Sequence, residues 1–469
     1  MLKKNLFVIL RRTLSVLALS AFLTPVVVAD DAAVAASIQY YDNRSTGGTR
    51  TAEVLLAIPQ SYLSERVDLV ESQNQWDYHR VPLRIEITTT TGAEIIKAHS
   101  LRYTYQDENL SFMNRSVSWS VTEEEQTLIG RNPTIAVSIA ESPVASIGYF
   151  DNMRNDDQRT AQIALAIPES YLSERVDLVP SENQWDRHAI PMRIEIETTD
   201  GTPIVKAHNL NYTYEDGNLR FQNSHPSWTT TEEEENLIGP NPTIAVSIAE
   251  SPVASIGYFD NMRNDDQRTA QIALAIPESY LSERVDLVPS ENQWDRHAIP
   301  MRIEIETTDG TPIVKAHNLN YTYEDGNLRF QNSHPSWTTT EEEENLIGPN
   351  PTIAVSIAES PVASIGYFDN MRNDDQRTAQ IALAIPESYL SERVDLVPSE
   401  NQWDRHAIPM RIEIETTDGK TIVKAHNLNY TYEDGNLRIA NPFVAWSVTT
   451  EEEELIGRHP SIEVEIIGE

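Results

Sequence analysis

The residues best suited to chemistry lie in one short polar segment, Trp185-Asp186-Arg187-His188, with a second histidine, His208, on a later strand. An aspartate that orients a histidine can support general-base catalysis. A histidine beside an aromatic ring is also common in cores and at hydrogen-bonding edges, so both interpretations stay open. The sequence has no cysteine, and it contains no Gly-x-Ser-x-Gly elbow, His-Glu-x-x-His motif or phosphate-binding glycine loop. It therefore predicts a protein without a catalytic site.

A second cluster supplies hard oxygen ligands of the kind that Ca²⁺ prefers. The candidate ligands are Asp151, Asn155, Asp156 and Asp157, just after a predicted strand, together with Glu250 from the next copy of the repeat described below. Arg154 and Arg159 interrupt the cluster, and the spacing of an EF-hand is absent. A solvated polar loop with Asx turns is the competing interpretation. Calcium is the one cofactor that the sequence suggests.

Aromatic residues beside polar side chains suggest a ligand site of another kind. Its candidate residues are Trp185, Asp186, His188, Tyr212 and Tyr214. Exposed rings in such company could stack on the faces of sugars, whereas buried rings would fill a core. Tyr212 and Tyr214 have the same parity on a strand and so share a face, and Trp185 is predicted to be the most accessible ring. A glycan is therefore one predicted partner, and core packing is the alternative.

Four consecutive glutamates, Glu232–Glu235, form a further candidate site. They could dock a basic partner or a cation. They also follow Thr231 and precede Leu237-Ile238-Gly239, which predicts a short helix that Thr231 caps and Gly239 ends. Glu234 is then the expected capping-box partner of Thr231, and the run is the solvated start of a helix.

The elements that would position these residues are short strands. Apolar residues alternate with polar ones in 162–167, 193–197 and 243–248, a pattern typical of half-buried antiparallel strands. Shorter strands are predicted at 145–150, 175–179, 204–214 and 219–221. The Asp200-Gly201 and Asp216-Gly217 pairs lie between strand candidates and favour tight hairpin turns. About seven strands and one helical turn in ~110 residues predict an all-β, immunoglobulin-like β-sandwich.

The whole pattern recurs four times with a period of 109 residues. The Asn-Gln-Trp-Asp motif contains Trp76, Trp185, Trp294 and Trp403, and residues 141–249 and 250–358 are identical. The predicted domains are repeat 1 (30–140), repeat 2 (141–249), repeat 3 (250–358) and repeat 4 (359–469). Because no Gly/Ser linker separates the copies and Pro252 stiffens one junction, the array is predicted to be a rod. Residues 30–37, at the start of repeat 1, are predicted to have no partner within the chain, and we expect them to be free to pair with another molecule.

The net charge and the N-terminal residues limit the possible location and partners of the protein. With 72 acidic and 36 basic residues the net charge is −36, so nucleic acid and anionic membranes are unfavourable partners. A basic start, an apolar segment from Leu14 to Leu23 and Val27-Val28-Ala29 predict a signal peptide over 1–29; an uncleaved anchor is the alternative. No later segment reaches the ~18 apolar residues of a membrane helix.

These observations lead to a function hypothesis with two alternatives. The first is a non-enzymatic, extracytoplasmic stalk, spacer or multivalent adhesin at a bacterial surface or matrix, with a glycan or a surface protein as ligand. The second is an array of carbohydrate-binding modules, and the third is a secreted enzyme or inhibitor.

Overall fold

The computed structural model describes residues 34–42, 50–151, 159–182, 186–239, 241–260, 267–291, 295–369 and 376–467. The predicted signal peptide over 1–29 lies outside these ranges. Within them, every repeat contributes seven β-strands and two short helices. The first described strands of repeats 2, 3 and 4 begin at Val144, Val253 and Val362, which reproduces the period of the sequence.

The bounds of the elements are as follows. Repeat 1 contains β1 (Ala35–Asp42), β2 (Arg50–Ala57), α1 (Gln60–Ser64), β3 (His79–Thr88), β4 (Glu94–Gln106), β5 (Asn109–Phe112), β6 (Ser116–Val121), α2 (Glu123–Ile129) and β7 (Thr134–Ile139). Repeat 2 contains β8 (Val144–Asp151), β9 (Arg159–Ala166), α3 (Glu169–Ser173), β10 (His188–Glu197), β11 (Pro203–Glu215), β12 (Asn218–Phe221), β13 (Ser227–Thr230), α4 (Glu232–Ile238) and β14 (Ile244–Ile248).

Repeat 3 contains β15 (Val253–Asp260), β16 (Gln267–Ala275), α5 (Glu278–Ser282), β17 (His297–Glu306), β18 (Pro312–Glu324), β19 (Asn327–Phe330), β20 (Ser336–Thr340), α6 (Glu341–Ile347) and β21 (Ile353–Ile357). Repeat 4 contains β22 (Val362–Asp369), β23 (Gln376–Ala384), α7 (Glu387–Ser391), β24 (His406–Glu415), β25 (Thr421–Glu433), β26 (Asn436–Ile439), β27 (Phe443–Thr449), α8 (Thr450–Ile456) and β28 (Ile462–Ile466).

Each repeat is a sandwich of a three-stranded and a four-stranded sheet. In repeat 2 the strand orders are β13-β9-β8 and β12-β11-β10-β14, and all the pairings are antiparallel. The other three repeats have the same orders. The predicted all-β fold of four tandem β-sandwiches is thus confirmed. The third, fourth and fifth strands of a repeat form a meander, so the longest strand, β11, lies inside the four-stranded sheet.

The alternating strands bury one face each, as their sequence predicts. Ile163 and Leu165 on β9 face Ile194 and Ile196 on β10 in one apolar cluster, and none of the four is more than 2% exposed. At about 25 cal/mol per Å² of apolar surface, burial of such side chains contributes roughly 1.5–3 kcal/mol each. Every repeat has its own cluster of this kind.

The predicted turns and the predicted ends of the helix are also confirmed. Asp216 and Gly217 both have positive φ angles, 49° and 79°, in the hairpin between β11 and β12, which is the backbone that Asp-Gly supplies. The Thr231 hydroxyl accepts a hydrogen bond from the backbone N–H of Glu234 (3.1 Å), and Gly239 ends α4 with a φ of 70°.

Three expectations about elements are wrong. Residues 175–179 are not a strand; they follow α3, an additional short helix that begins after Pro168 and buries Leu172. The prediction missed β13, a four-residue strand whose Trp228 and Thr230 are buried. Residues 35–37 are not free, because they belong to β1 and pair with β2 within the same repeat.

Candidate functional site

The exposed tryptophan of the Asn-Gln-Trp-Asp motif stands on a tight polar turn. In repeat 1, Asn74 Oδ1 accepts from the backbone N–H of Trp76 (2.8 Å) and Asp77 Oδ2 accepts from that of Gln73 (2.8 Å). Trp76 is 75% exposed, and Trp403 on the equivalent turn of repeat 4 is 76% exposed. Trp185 itself lies outside the described residues, so its accessibility stays a prediction.

The histidine that follows this turn is buried against a tyrosine. His188 is 7% exposed and Tyr212 is 3% exposed, and their ring centroids are 5.4 Å apart. His188 Nε2 lies 3.8 Å from Asp186 Oδ2, which is longer than a hydrogen bond. Burial lowers the pKa of His188, although the charge of Asp186 opposes that shift. The ring is therefore a neutral packing group at physiological pH.

The tyrosine pair is not an exposed face. Tyr212 is in the core, and its hydroxyl oxygen accepts from the backbone N–H of Val179 (3.1 Å). Tyr214 is partly buried and packs against the same core, and its backbone N–H donates to Ser181 Oγ (3.0 Å). These positions fit the core-packing alternative. Ligand contact by Asp186, His188, Tyr212 and Tyr214 stays a prediction.

The second histidine of the general-base hypothesis lies elsewhere. His208 is four residues from Tyr212 on β11, or about 13 Å along an extended strand. Its Nε2 donates to the carbonyl oxygen of Asn223 (2.8 Å), and burial lowers its pKa to about 4. The structure does not bring His208 to Asp186 and His188.

The calcium hypothesis falls mostly outside the described residues. Asp151 ends β8, residues 152–158 are not described, and Glu250 is exposed after β14. Arg159, at the start of β9, forms ion pairs with Glu235 and Glu232 of α4. In the described part of the chain, no group of three or more histidine and acidic residues is placed to hold a metal ion. A calcium site made by Asp151, Asn155, Asp156, Asp157 and Glu250 stays a prediction.

The glutamate run contains a buried member, so it is more than a solvated helix start. Glu234 is 0% exposed, and its Oε1 lies 3.3 Å from the ammonium of Lys206 on β11. The same carboxylate accepts from Trp228 Nε1 (3.2 Å) and from the Thr230 hydroxyl (2.8 Å). Lys206 Nζ lies 4.8 Å from the centre of the Trp228 ring. The side chain therefore turns to this internal group instead of completing a capping box.

The equivalent group is present in repeats 1 and 3. Burial lowers the pKa of Lys97 and of Lys315 to about 8 in spite of the nearby Glu125 and Glu343. Burial also raises the pKa of Glu125, against the charge of Lys97. Sequence reasoning missed these pairs. The sequence feature that could have indicated them is a lysine at an inward-facing position of a strand in which apolar and polar residues alternate.

The buried group extends across the boundary to the next repeat. Lys97 Nζ donates to Asn241 Oδ1 (3.2 Å), and the amide nitrogen of Asn241 donates to Glu125 Oε1 (3.1 Å). Asn241 belongs to repeat 2, and it thus binds both members of the charge pair in repeat 1. Lys206 donates to Asn350 of repeat 3 in the same way (3.1 Å).

A histidine replaces this asparagine in the junction between repeats 3 and 4. His459 Nε2 lies 2.8 Å from Glu343 Oε1. Burial raises the pKa of Glu343, but the hydrogen bond from His459 and the charge of Lys315 outweigh it and hold the pKa at about 2. Glu343 is therefore the ionised centre of this junction.

The middle of each junction is a small apolar cluster with hydrogen bonds beside it. Between repeats 2 and 3 the cluster contains Ala207, Ala249, Val253 and Ala275, all at most 7% exposed. Because β12 pairs only with the second half of β11, the first half has an open edge that the next repeat covers. The backbone N–H of an alanine on that edge donates to a serine of the next repeat in all three junctions: Ala98 to Ser146 (2.9 Å), Ala207 to Ser255 (3.0 Å) and Ala316 to Ser364 (2.9 Å).

An ion pair closes the far side of each junction. Arg220 of repeat 2 donates to Asp77 Oδ1 of repeat 1 (2.5 Å), and Arg329 pairs with Asp186 (2.5 Å). Arg438 pairs with Asp295 in the third junction. The aspartate of the predicted ligand site is therefore part of a junction, which the sequence did not indicate.

Comparisons with known proteins give no family. No family model matches the chain, and no curated protein matches it. Among solved structures, one match is described as "Crystal structure of tetra-tandem repeat in extending region of large adhesion protein". The two chains are 8% identical, the match covers 93% of this chain and 99% of the other, and the TM-score is 0.09. This TM-score is too low to support a shared fold.

A helix that crosses a bilayer must be long and apolar. Among the described residues, none of the helices has the length and apolar character to cross a membrane.

Proposed function

We propose that this chain is a non-enzymatic, extracytoplasmic spacer that holds its β-sandwiches in a stiff row. The observation that carries the proposal is the junction, which recurs three times with the same cluster of small apolar residues, the same Ala–Ser hydrogen bond and the same Arg–Asp pair. The extracytoplasmic location rests on the leader sequence alone.

The positions of these contacts argue for stiffness. Lys206 and Tyr212, which mark the two ends of the junction on β11, are six residues apart, or about 20 Å on a strand. The asparagine contact lies at the Lys206 end and the Arg329–Asp186 pair lies near Tyr212. Bending at the junction in either direction would therefore break one set of contacts. Repeats that each contact only their neighbours build a quasi-one-dimensional array.

Small-angle scattering of the full chain tests the spacer. We expect an elongated particle whose radius of gyration exceeds that of a variant with a short Gly/Ser segment inserted after Glu250, because the insertion removes the restraint at one junction and lets the two halves bend towards each other. A compact wild-type particle, or a wild type indistinguishable from the insertion variant, contradicts the proposal.

The second candidate function is carbohydrate binding by the repeated tryptophan turn, and the exposure of Trp76 and Trp403 favours it. A flat ring held out on a polar turn can stack on a sugar face. Several weak sites in a row gain avidity of roughly 10²–10⁴ if they bind together. The full chain should then bind to a glycan array, and a variant with all four motif tryptophans replaced by alanine should not. Equal binding by both proteins, or none by the wild type, rules this function out.

A further inference from the structure

Among the described residues, none covers on repeat 4 the surface that repeats 1–3 each offer to the next repeat. In repeats 1–3 the first half of the long strand is covered by the next repeat, and Ala98 and Ala207 are at most 7% exposed. In repeat 4 the equivalent residues Val423, Ala425 and Asn427 of β25 are exposed, Val423 to 50%. We define the trailing face by these three residues. Ile467 is the equivalent of Ala249 in repeat 2. It lies beside the trailing face and is 49% exposed.

Within the part of the chain that the structure describes, no segment covers the opposite surface on repeat 1. Val144, Ser146 and Ala166 of repeat 2 are buried against repeat 1. Their equivalents in repeat 1 are exposed, and together with Leu55 they define the leading face: Ala35, Ser37, Leu55 and Ala57. Leu55 is 40% exposed, where repeat 2 has an alanine. The described residues of repeats 1 and 4 therefore present both halves of a junction.

The two faces retain two of the hydrogen-bonding groups that form the internal junctions. Ser37 is the equivalent of Ser146, which accepts from the N–H of Ala98, so it matches the N–H of Ala425. Asn427 is the equivalent of Asn209, which donates to the carbonyl of Leu274 in the next repeat.

The match has three departures from the internal junctions. Glu452, the equivalent of the buried Glu234, is exposed and accepts from the backbone N–H of Thr449 (3.0 Å) instead of lying in a buried charge pair. Repeat 1 has Ser111 where the later repeats have the arginine of the Arg–Asp pair, so Asp404 gains no ion pair across the new contact. Leu55 and Ile467 replace alanines and add apolar surface to the centre. The contact between molecules is therefore less polar than those within the chain.

We propose that a second copy of this chain docks its leading face on the trailing face of the first, so that copies extend the array head to tail. The contact is heterologous, because different surfaces of the two copies meet, and such contacts propagate unless the geometry closes a ring. The inference rests on the junction geometry and not on the proposed spacer role.

Two arginine variants test the docking by complementation. Ala425→Arg blocks the trailing face, and Ala57→Arg blocks the leading face. Both positions are exposed, so the fold should be kept, and circular dichroism checks this. Ser391→Arg is the matched control, because this serine and its equivalents Ser64, Ser173 and Ser282 are exposed in all four repeats.

Sedimentation velocity over a range of concentrations gives the readout. We expect wild type and Ser391→Arg to form oligomers beyond dimers as concentration rises, and each blocked variant alone to stay monomeric. Mixed one to one, the blocked variants should form dimers and stop there, because only one pair of open faces remains.

Three results overturn the proposal: a wild type that stays monomeric, oligomers that persist in either blocked variant, or a mixture that remains monomeric. A monomeric wild type that assembles after deletion of residues 1–33 would show that this segment, not a second copy, occupies the leading face.

Discussion

The buried lysine–glutamate pairs show what a single residue contributes to this array. Lys206 and Glu234 are both buried in the sandwich, and each needs the other because an unpaired charge cannot remain there. Asn350 of the next repeat occupies another donor of the lysine. One substitution can therefore affect both the core of a repeat and its junction.

Removal of the buried carboxylate should be costly. We expect Glu234→Ala to destabilise repeat 2 by about 3–5 kcal/mol, because it leaves Lys206 and the Trp228 N–H without their acceptor. Calorimetry of the full chain should show one transition moved to lower temperature. Glu233→Ala, one residue away and exposed, is the control and should change little. Equal effects of the two variants would contradict the role of the buried pair.

Acid should weaken the junction between repeats 3 and 4. Glu343 has a pKa of about 2 in the folded chain against an ordinary value of 4.5. Its stabilising contribution is therefore fully present above pH 4.5 and is lost as the pH falls from 4.5 towards 2. The charged groups that face it are Lys315, His459 and Arg458.

Thermal denaturation on both sides of this pH window measures the effect. We expect Glu343→Gln to reduce the loss of stability between about pH 6 and about pH 3, because the glutamine does not titrate. His459→Asn, which copies the junction between repeats 2 and 3, should also reduce it. An acid-induced loss as large in Glu343→Gln as in the wild type would refute this assignment.

Among the elements, the long central strand of each repeat does two tasks. The second half of β11 pairs with β12, and the first half offers its edge to the next repeat. Open strand edges invite pairing with other chains. Here the neighbouring repeat covers the edge with a serine side chain and alanines, so the junction buries what would otherwise be a liability.

A pair of equivalent serines tests this edge contact. Ser146→Ala removes the acceptor for the buried N–H of Ala98 and should cost about 1–3 kcal/mol. Ser37→Ala changes the equivalent serine in repeat 1, which is exposed and bonded only locally by Gln39 within the described residues. At a protein concentration low enough to keep the chain monomeric, its effect on the free energy of unfolding should be close to zero. The measurement is the midpoint of urea denaturation of both variants. Similar midpoints for the two would contradict the edge contact.

The elements were largely predictable, and their exceptions have physical reasons. The alternation of apolar and polar residues predicted the main strands, and Asp216-Gly217 predicted a hairpin, because both are local properties of the chain. The sequence does not reveal β13, because four residues are too few to show a clear alternating pattern. Residues 175–179 resemble a strand in sequence, but their apolar residues belong to a loop that packs on the core. The junction contacts join residues far apart in sequence, such as Asp77 and Arg220, and local patterns hold no information about them.

At the scale of the whole molecule, three equivalent junctions should add up to one stiff body. Each has contacts at both ends of a long strand and apolar residues between them. The 109-residue period of the sequence predicted the tandem organisation, whereas the proposed stiffness depends on junction contacts that the sequence did not indicate. A spacer of fixed length follows only if the junctions do not open in solution.

The distance between neighbouring repeats tests this most directly. Because the chain has no cysteine, Ser173→Cys and Ser282→Cys place spin labels only on the equivalent exposed helices α3 and α5. Electron paramagnetic resonance on the full chain should give one narrow distance distribution, much narrower than in the variant with the Gly/Ser insertion after Glu250. A wild-type distribution as broad as that of the insertion variant would contradict the account.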